Sequence, residues 1–227
     1  EPMVLKPWSE VGRYGGTWRQ PTMVPDWTPQ FYFMKEHIVL HDPWKLASFI
    51  PNVAKKYEWS ADARTLTFWL RKGMKWSDGA PFSADDFLFW YEDILLNTEL
   101  SPAISALFKT GDDVMKMTKV DDLTVRISFT QPYATFLDAL VSVGNPEMYA
   151  PKHYLKSFHA KYATKADLEK LMKEGSFGLW TDMFLAKGYA LESQESNPEC
   201  PTIRGWVVAN KFGEPVQWYK RNPYYWK

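Results

Sequence analysis

The sequence predicts a fold that mixes helices and strands, either α/β or α+β, and three segments carry this prediction. Residues 65–71 and 123–129 alternate apolar and polar side chains, which is the period of a half-buried strand. Between these segments, Ser83 and Asp86 are spaced as in a capping box, with Asp in place of the usual Glu, and predict the start of a helix. Because strand and helix signals are mixed along the chain, both element types are expected in one fold.

The other elements follow from the same signals. The helix that begins at Ser83 is expected to reach about Asn97, with apolar side chains at i, i+3, i+4 and i+7 from Phe87. A second capped helix is predicted over 164–174, with Thr164 as N-cap, Asp167 at the third position and Gly175 just past the end. Asp78-Gly79 predicts a turn. Further helices are expected over 31–41, 134–141 and 177–187, and further strands over 206–208 and 216–220.

Composition limits the function classes. The 227 residues suggest one or two domains, and 27 basic against 27 acidic residues give no net charge, which argues against a nucleic-acid partner. The single cysteine, Cys200, excludes an internal disulfide. No apolar run reaches the roughly 20 residues needed to span a bilayer, and residues 1–3 do not begin a signal peptide.

Aromatic residues are unusually frequent, with 12 Trp, 12 Tyr and 14 Phe, or 17% of the chain. Two interpretations are open. The rings could form a large aromatic core, or some of them could line a cleft and stack on planar or sugar-like faces of a ligand.

Catalytic and metal-binding motifs are absent from the sequence: there is no phosphate-binding loop, nucleophile elbow or zinc helix. His37 and His41 would share one face of a helix, but surface histidines are the favoured interpretation over a metal site. Two pairs of acidic residues, at 85–86 and 121–122, are explained by a helix cap and a turn rather than by acid–base catalysis. We therefore expect no enzyme activity, no metal and no cofactor.

The stretch from Pro51 to Leu95 is the most specific pattern. It contains the strand Leu-Thr-Phe-Trp-Leu-Arg, the turn Trp-Ser-Asp-Gly and the helix start Phe-Ser-Ala-Asp-Asp-Phe. This pattern resembles the signature of the family 5 extracellular solute-binding proteins, the oligopeptide-, dipeptide- and nickel-binding receptors of ABC importers. The resemblance continues in order through the segments that begin at Val120, Pro132 and Ala150, to Arg-Asn-Pro-Tyr-Tyr-Trp at 221–226.

One departure concerns the solute. Where family members carry a Gly-Thr-Gly-Pro-Tyr-like strand start, this chain has Pro-Thr-Ile-Arg-Gly-Trp at 201–206, following a helical insertion over 161–198. The departure indicates a divergent subgroup and leaves the solute open between an oligopeptide and an oligosaccharide.

The resemblance implies a periplasmic-binding-protein-like α/β fold of type II, cluster C. Residues 1–44 and 149–227 would form part of the first lobe, and residues 45–148 would form an inserted α+β subdomain. Family members are considerably longer, so we expect the second lobe to be absent from this chain, which would be an N-terminal piece of a larger receptor.

The implied function is capture of a solute, between two lobes that close on it, and delivery to ABC permease subunits. The implied location is periplasmic or extracytoplasmic and membrane-associated, and the receptor is expected to be monomeric. Trp27, Phe31 and Tyr32 in the N-terminal loop are expected to contact the solute because three clustered rings form a stacking platform. The alternative is that these rings belong to the lobe core or cover the missing second half. The loop that contains Ser101 and Ile104 aligns with a region that reaches the ligand in relatives.

Two alternatives are retained. An aromatic-rich carbohydrate-binding module of a secreted enzyme would require an all-β sandwich, which the two capped helices disfavour. A hydrolase that uses paired Asp residues has no motif in its support.

Overall fold

The computed structural model of the protein describes residues 2–4, 10, 13, 15–19, 36–42, 44–45, 48–141, 147–189, 197–210 and 214–227. The strands are β1 Val39–His41, β2 Phe49–Pro51, β3 Ala54–Trp59, β4 Thr65–Leu70, β5 Lys109–Thr110, β6 Asp113–Val114, β7 Lys116–Asp121, β8 Thr124–Ser128, β9 Trp206–Val208 and β10 Tyr219–Arg221. The α-helices are α1 Ala84–Phe89, α2 Phe136–Leu140, α3 Lys152–Leu155, α4 Lys165–Gly175 and α5 Trp180–Phe184. The mixed class is confirmed.

A four-stranded antiparallel sheet in the order β3-β4-β8-β7 organises the first half of the described chain. Leu66, Phe68 and Leu70 of β4 are fully buried on one face, and Ile127 and Val125 of β8 lie opposite Leu66 and Phe68. The strand predictions at 65–71 and 123–129 are therefore confirmed, because apolar alternation places one face of the sheet against the core.

The helix predicted from Ser83 packs on that apolar face. Ser83 Oγ accepts from the Asp85 amide at 3.3 Å, and Asp86 Oδ2 accepts from the Ser83 amide at 3.0 Å, so both halves of the capping box form. After Phe89 the helix continues as a π-helical segment, Trp90–Leu95. Phe87, Phe89 and Trp90 are fully buried, which accounts for much of the aromatic content as core.

The helix expected over 31–41 is wrong where it can be observed. Residues 31–35 lie outside the described part, but Val39–His41 forms β1, which pairs antiparallel with β2. Pairing with a later segment, rather than local periodicity, sets this conformation. His37 and His41 therefore do not share a helix face, and the spacing argument for a two-histidine metal site fails.

The remaining helices are close to expectation, with shifted ends. The helix predicted over 134–141 is confirmed as α2, and that over 177–187 as α5 with a π-helical continuation, Leu185–Tyr189. In α4 the Thr164 cap is confirmed, since its hydroxyl accepts from the Asp167 amide at 3.1 Å.

The expected end of α4 is wrong by one residue. The helix includes Gly175, and Ser176 takes the left-handed conformation with φ 58°. The Phe177 ring occupies the space that a Cβ at position 175 would fill, which explains why glycine stands inside the helix.

The C-terminal strands form a separate antiparallel pair, β9 and β10. The strand expected over 216–220 begins three residues later, at Tyr219, because Gln217 and Trp218 are held by side-chain bonds to Asn210. The domain boundaries at 44/45 and 148/149 stay predictions. The large sheet lies within the range assigned to the insertion, and the β1–β2 pair joins residues on both sides of the first boundary.

Candidate functional site

The structure places two of the five predicted solute contacts. Trp27, Phe31 and Tyr32 lie outside the described residues. Ser101 and Ile104 lie together in the loop that follows the π-helical segment, which we call the 97–104 loop. Their contact with a solute stays a prediction, and the geometry of the loop that carries them can be described.

Within the loop, Ser101 is held by two hydrogen bonds. Its hydroxyl donates to the Ile94 carbonyl at 2.8 Å, and its amide donates to the Asn97 carbonyl at 2.7 Å. Ile104 is half-buried and packs against the core. The Ser101 hydroxyl can therefore meet a solute as an acceptor, while its proton is directed into the protein.

Asn97 organises the start of this loop. Its Oδ1 accepts from the amides of Glu99 at 2.9 Å and Leu100 at 3.2 Å, which closes a turn directly after the π-helical segment. Its Nδ2 lies 3.4 Å from His159 Nε2, a contact without a hydrogen bond, because that nitrogen donates to the Asp93 carbonyl.

A hydrogen bond reaches the loop from α5. The indole nitrogen of Trp180 donates to Glu99 Oε2 at 2.8 Å. The Trp180 ring lies edge-on to His159, with centroids 4.9 Å apart, and edge-on to Phe184 at 6.0 Å. Glu99, His159 and Trp180 thus join the 97–104 loop to the helical segment after residue 159, and we call these three residues the loop brace.

His159 is buried, and its surroundings fix its role. Its Nε2 lies 2.9 Å from the Asp93 carbonyl, and its Nδ1 accepts from the Lys161 amide at 3.1 Å. These two bonds indicate a neutral imidazole that donates through Nε2. Burial lowers the pKa of His159, against the raising effect of the Asp93 bond.

The Asp93 carboxylate belongs to the same cluster. It lies 2.5 Å from Lys161 Nζ and accepts from the Tyr162 hydroxyl at 2.5 Å. Burial raises the pKa of Tyr162, and the bond to Asp93 raises it further. The π-helical segment is therefore fixed to the chain after α3 by charge-assisted bonds.

The Asp-Gly turn of the signature covers an aromatic cluster. Trp76, Phe82, Phe87 and Tyr149 pack edge-on or tilted, with centroids between 5.3 and 6.1 Å apart. The Trp76 indole donates to Asp86 Oδ2 at 3.2 Å. Burial raises the pKa of Asp86 to about 6, although hydrogen bonds from Ser83, Trp76 and Lys152 oppose the shift. The cluster explains folding rather than ligand contact.

A buried polar junction ties the N-terminal and C-terminal segments together. The Glu36 carboxylate accepts from Asn52 Nδ2 at 2.8 Å, from the Tyr225 hydroxyl at 2.5 Å and from Lys227 Nζ at 2.7 Å. Burial raises the pKa of Tyr225, and the nearby Glu36 carboxylate raises it further. We call this group, with the Glu147–Arg204 pair beside it, the Glu36 junction.

Glu147 continues the junction toward the return segment. Its Oε1 accepts from the Glu36 amide at 2.8 Å, and its Oε2 accepts from Arg204 at 3.0 Å. Burial acts to raise the pKa of Glu147, but the Arg204 charge and the hydrogen bonds outweigh it, so the pKa is lowered. The junction has a structural role, because its charged side chains are largely buried and paired with one another.

Three exposed aromatic residues near the C-terminal strands, Trp206, Trp218 and Tyr224, do not form one platform. Trp206 and Trp218 are about half exposed, but the β9–β10 register places them on opposite faces of the pair. The Tyr224 ring packs against Gly79 and lies under the Lys75 ammonium. Of the two interpretations of the aromatic content, the core is the one these residues favour.

Metal and nucleophile chemistry find no site among the described residues. No three His, Cys, Asp or Glu side chains in that part of the chain converge as metal ligands. Burial raises the pKa of Cys200 to about 12, so its thiol stays protonated at neutral pH. Asp85 and Asp86 do not form a dyad, since Asp85 pairs with Lys119 and Asp86 caps the helix.

No helix within the described ranges has the length and apolarity to cross a membrane.

Comparison with known proteins identifies the class. Residues 48–227 match the model of the bacterial extracellular solute-binding proteins, family 5. The chain belongs to this family, as its signature indicated, and its fold is the periplasmic-binding-protein-like one that the resemblance implied.

Three relatives show the range of the similarity. The periplasmic alpha-galactoside-binding protein of Rhizobium meliloti is 32% identical over 178 residues, which is 78% of this chain and 23% of the relative. A solved oligopeptide-binding protein, OppA, is 35% identical with a TM-score of 0.88 over 99% of this chain and 34% of its own. The binding protein MelB of Agrobacterium fabrum, solved with stachyose, is 28% identical with a TM-score of 0.65, over 88% of this chain and 28% of its own. The chain thus spans about a quarter to a third of these proteins.

The sequence did not predict the loop brace or the Glu36 junction. Glu99 and Trp180 are 81 residues apart, and Glu36 and Lys227 are 191 apart, so no local spacing connects them. No local signal in the sequence marks them, since neither Glu36 nor Glu99 has a Phe, Trp or Tyr residue beside it in the chain. Aromatic pairing across such separations is decided by tertiary packing.

Proposed function

We propose that this chain is part of the first lobe of an extracytoplasmic solute-binding protein that serves an ABC importer. The single observation that carries the proposal is the family match over 48–227. Since the relatives are three to four times longer than the part they share with this chain, a second lobe encoded beyond the shared part would complete the cleft.

The proposed mechanism is binding without bond making or breaking. Two lobes close on the solute, water leaves the cleft, and aromatic walls with a few polar groups supply the affinity. A single lobe covers one face of the solute only. We therefore expect the 227-residue chain alone to bind weakly or undetectably, and we expect no enzyme activity.

The proposed solute is an oligopeptide or an oligosaccharide. Support for a saccharide comes from two relatives, one named for alpha-galactosides and one solved with stachyose. Support for a peptide comes from the oligopeptide-binding neighbour and from the dipeptide-binding protein of Escherichia coli, 33% identical over 128 residues.

The proposed location and partners follow from the same relatives. A periplasmic or other extracytoplasmic receptor that is membrane-associated would meet its solute outside the cell membrane and pass it to permease subunits. We expect the receptor to be a monomer, with no nucleic-acid partner.

Titration calorimetry of the full-length protein tests the proposal. Stachyose, raffinose and an equimolar set of tri- to pentapeptides are the probes, and the 227-residue chain is the control. We expect one probe class to bind the full-length protein with a Kd in the micromolar range or tighter, about −8 kcal/mol, and to bind the 227-residue chain at least tenfold more weakly. Equal binding to both proteins would contradict the two-lobe proposal.

A further inference from the structure

We infer that Glu99 and Trp180 are positioning residues that hold the 97–104 loop in its solute-binding orientation. The inference rests on the proposed function, because its consequence for affinity requires that Ser101 or Ile104 contacts a solute. The geometric part of it, that α5 orders this loop, stands on the contacts of the described residues.

Leu100 and Ile104 of the loop pack against the core, while the residues beside them are exposed. Pro102 and Ala103 are exposed, Glu99 is exposed, and Ser101 is held only to the preceding segment, through Ile94 and Asn97. The turn at Asn97 is closed by three short-range hydrogen bonds, from the amides of Glu99, Leu100 and Ser101. A contact made at Glu99 by another element therefore limits the opening of this turn.

Trp180 supplies that contact. Its indole donates to Glu99 Oε2 at 2.8 Å, two residues before Ser101, and the acceptor is a carboxylate, so the bond is charge-assisted. The same indole ring packs edge-on against His159, which is itself hydrogen-bonded to the Asp93 carbonyl. The indole thus connects a buried, fixed imidazole with an exposed loop.

The Trp180 ring is held in place by its packing. The ring is half-buried, packs edge-on against His159 and Phe184, and stands at the first position of α5. Because the ring is held by His159 and Phe184, its hydrogen bond fixes the position of the Glu99 carboxylate relative to α5. This placement assigns a function to the helical segment after residue 159, which the signature of the family does not explain.

The expected energies are modest because the bond is near solvent. Loss of one such hydrogen bond corresponds to roughly a two- to tenfold change in an equilibrium constant. Calorimetric Kd values resolve this range if a matched control variant stays within about twofold of the parent protein.

The first test measures loop order without a solute. Hydrogen exchange is recorded for the amides of Glu99, Leu100 and Ser101 in the full-length protein and in W180F, which keeps a ring and loses the donor. We expect about two- to tenfold faster exchange at these amides in W180F, and no change in W218F, which alters an exposed tryptophan on β10's flank. Unchanged exchange in W180F would overturn the inference, whether or not any probe binds.

The second test measures the consequence for binding, with stachyose and the tri- to pentapeptide set as probes. We expect W180F and E99A to raise the Kd about two- to tenfold, E99Q to stay near the parent value because it keeps an acceptor, and thermal midpoints to move little. In S101A/I104A, adding W180F is expected to raise the Kd no further.

The outcomes separate the two proposals. Failure of every probe to bind the parent protein counts against the proposed function, while the exchange experiment still decides the brace. If the parent protein binds a probe and S101A/I104A binds it equally well, the loop does not contact the solute, and the positioning role is overturned while the receptor function stands.

Discussion

The core of the four-stranded sheet and the Glu36 junction are both buried, but they are stabilised in different ways. In the sheet, Phe68 and Leu66 are fully enclosed by other apolar side chains. In the junction, the Glu36 carboxylate receives three donors from distant parts of the chain. The difference shows that local pattern builds the sheet, whereas the segments around Glu36 and Lys227 are joined by charges that must be matched individually.

The largest expected effect is in the sheet. Phe68→Ala should lower the free energy of unfolding by about 3–5 kcal/mol, because it removes a ring from a fully packed site. Urea unfolding of the 227-residue chain measures the loss. Thr67→Ala on the outer face is the control and should change stability by less than about 1 kcal/mol. A loss below 1 kcal/mol for Phe68→Ala would show that this core is not the main source of stability.

The junction should respond almost as strongly. Glu36→Ala leaves the Lys227 ammonium and the Tyr225 hydroxyl without their shared acceptor, and a loss of about 3 kcal/mol is expected. The matched control is Glu58→Ala, which removes an exposed ion pair with Lys56 and should cost less than about 1 kcal/mol. Equal small losses in both variants would mean that the junction charges are solvated and contribute no more than surface pairs.

A pH experiment sharpens the comparison at a third buried carboxyl, Asp86. Its folded pKa of about 6 lies above the unfolded value of 3.8, so the folded state binds more protons between these values. Stability relative to Asp86→Asn should therefore decline by about 2 kcal/mol as the pH rises from 4 to 6. Urea midpoints at pH 4, 5, 6 and 7 test this. If the stability of the parent protein relative to Asp86→Asn rose with pH, the pKa of Asp86 would be lowered in the folded state, which would contradict the prediction.

The smallest expected effect lies outside both regions, at the cap of α4. Thr164→Ala removes the acceptor for the Asp167 amide and should cost about 1 kcal/mol. Faster hydrogen exchange should be confined to the first turn of Lys165–Gly175. Lys165→Ala, at the first helical position, is the control and should leave those amides unchanged; spread of the effect into the sheet would contradict a local role.

The sequence was most informative where a single segment determines its own structure. The alternation at 65–71 is a local periodicity and the capping box at Ser83 and Asp86 is a local set of hydrogen bonds, and both are confirmed. The signature that contains them also indicates the family.

The sequence was least informative where distant segments meet. The sequence predicts helix at Val39–His41, but the segment forms strand β1. The prediction is wrong because β1 depends on its partner Phe49–Pro51 rather than on its own period. The loop brace joins Glu99 to Trp180, 81 positions apart, and the Glu36 junction joins Glu36 to Lys227, 191 positions apart, so neither spacing nor propensity could find them. The predicted contacts at Ser101 and Ile104 still depend on the solute, which local chemistry does not specify.

A native mass spectrum is the most direct test of the central claim that this chain is one lobe of a solute receptor. The full-length protein and the 227-residue chain would be purified without denaturation and measured side by side. We predict an adduct on the full-length protein that is absent from the 227-residue chain, with a mass that separates a discrete saccharide from a ladder of peptides. The same adduct held equally well by the 227-residue chain would contradict the account and would make this chain a complete binding domain.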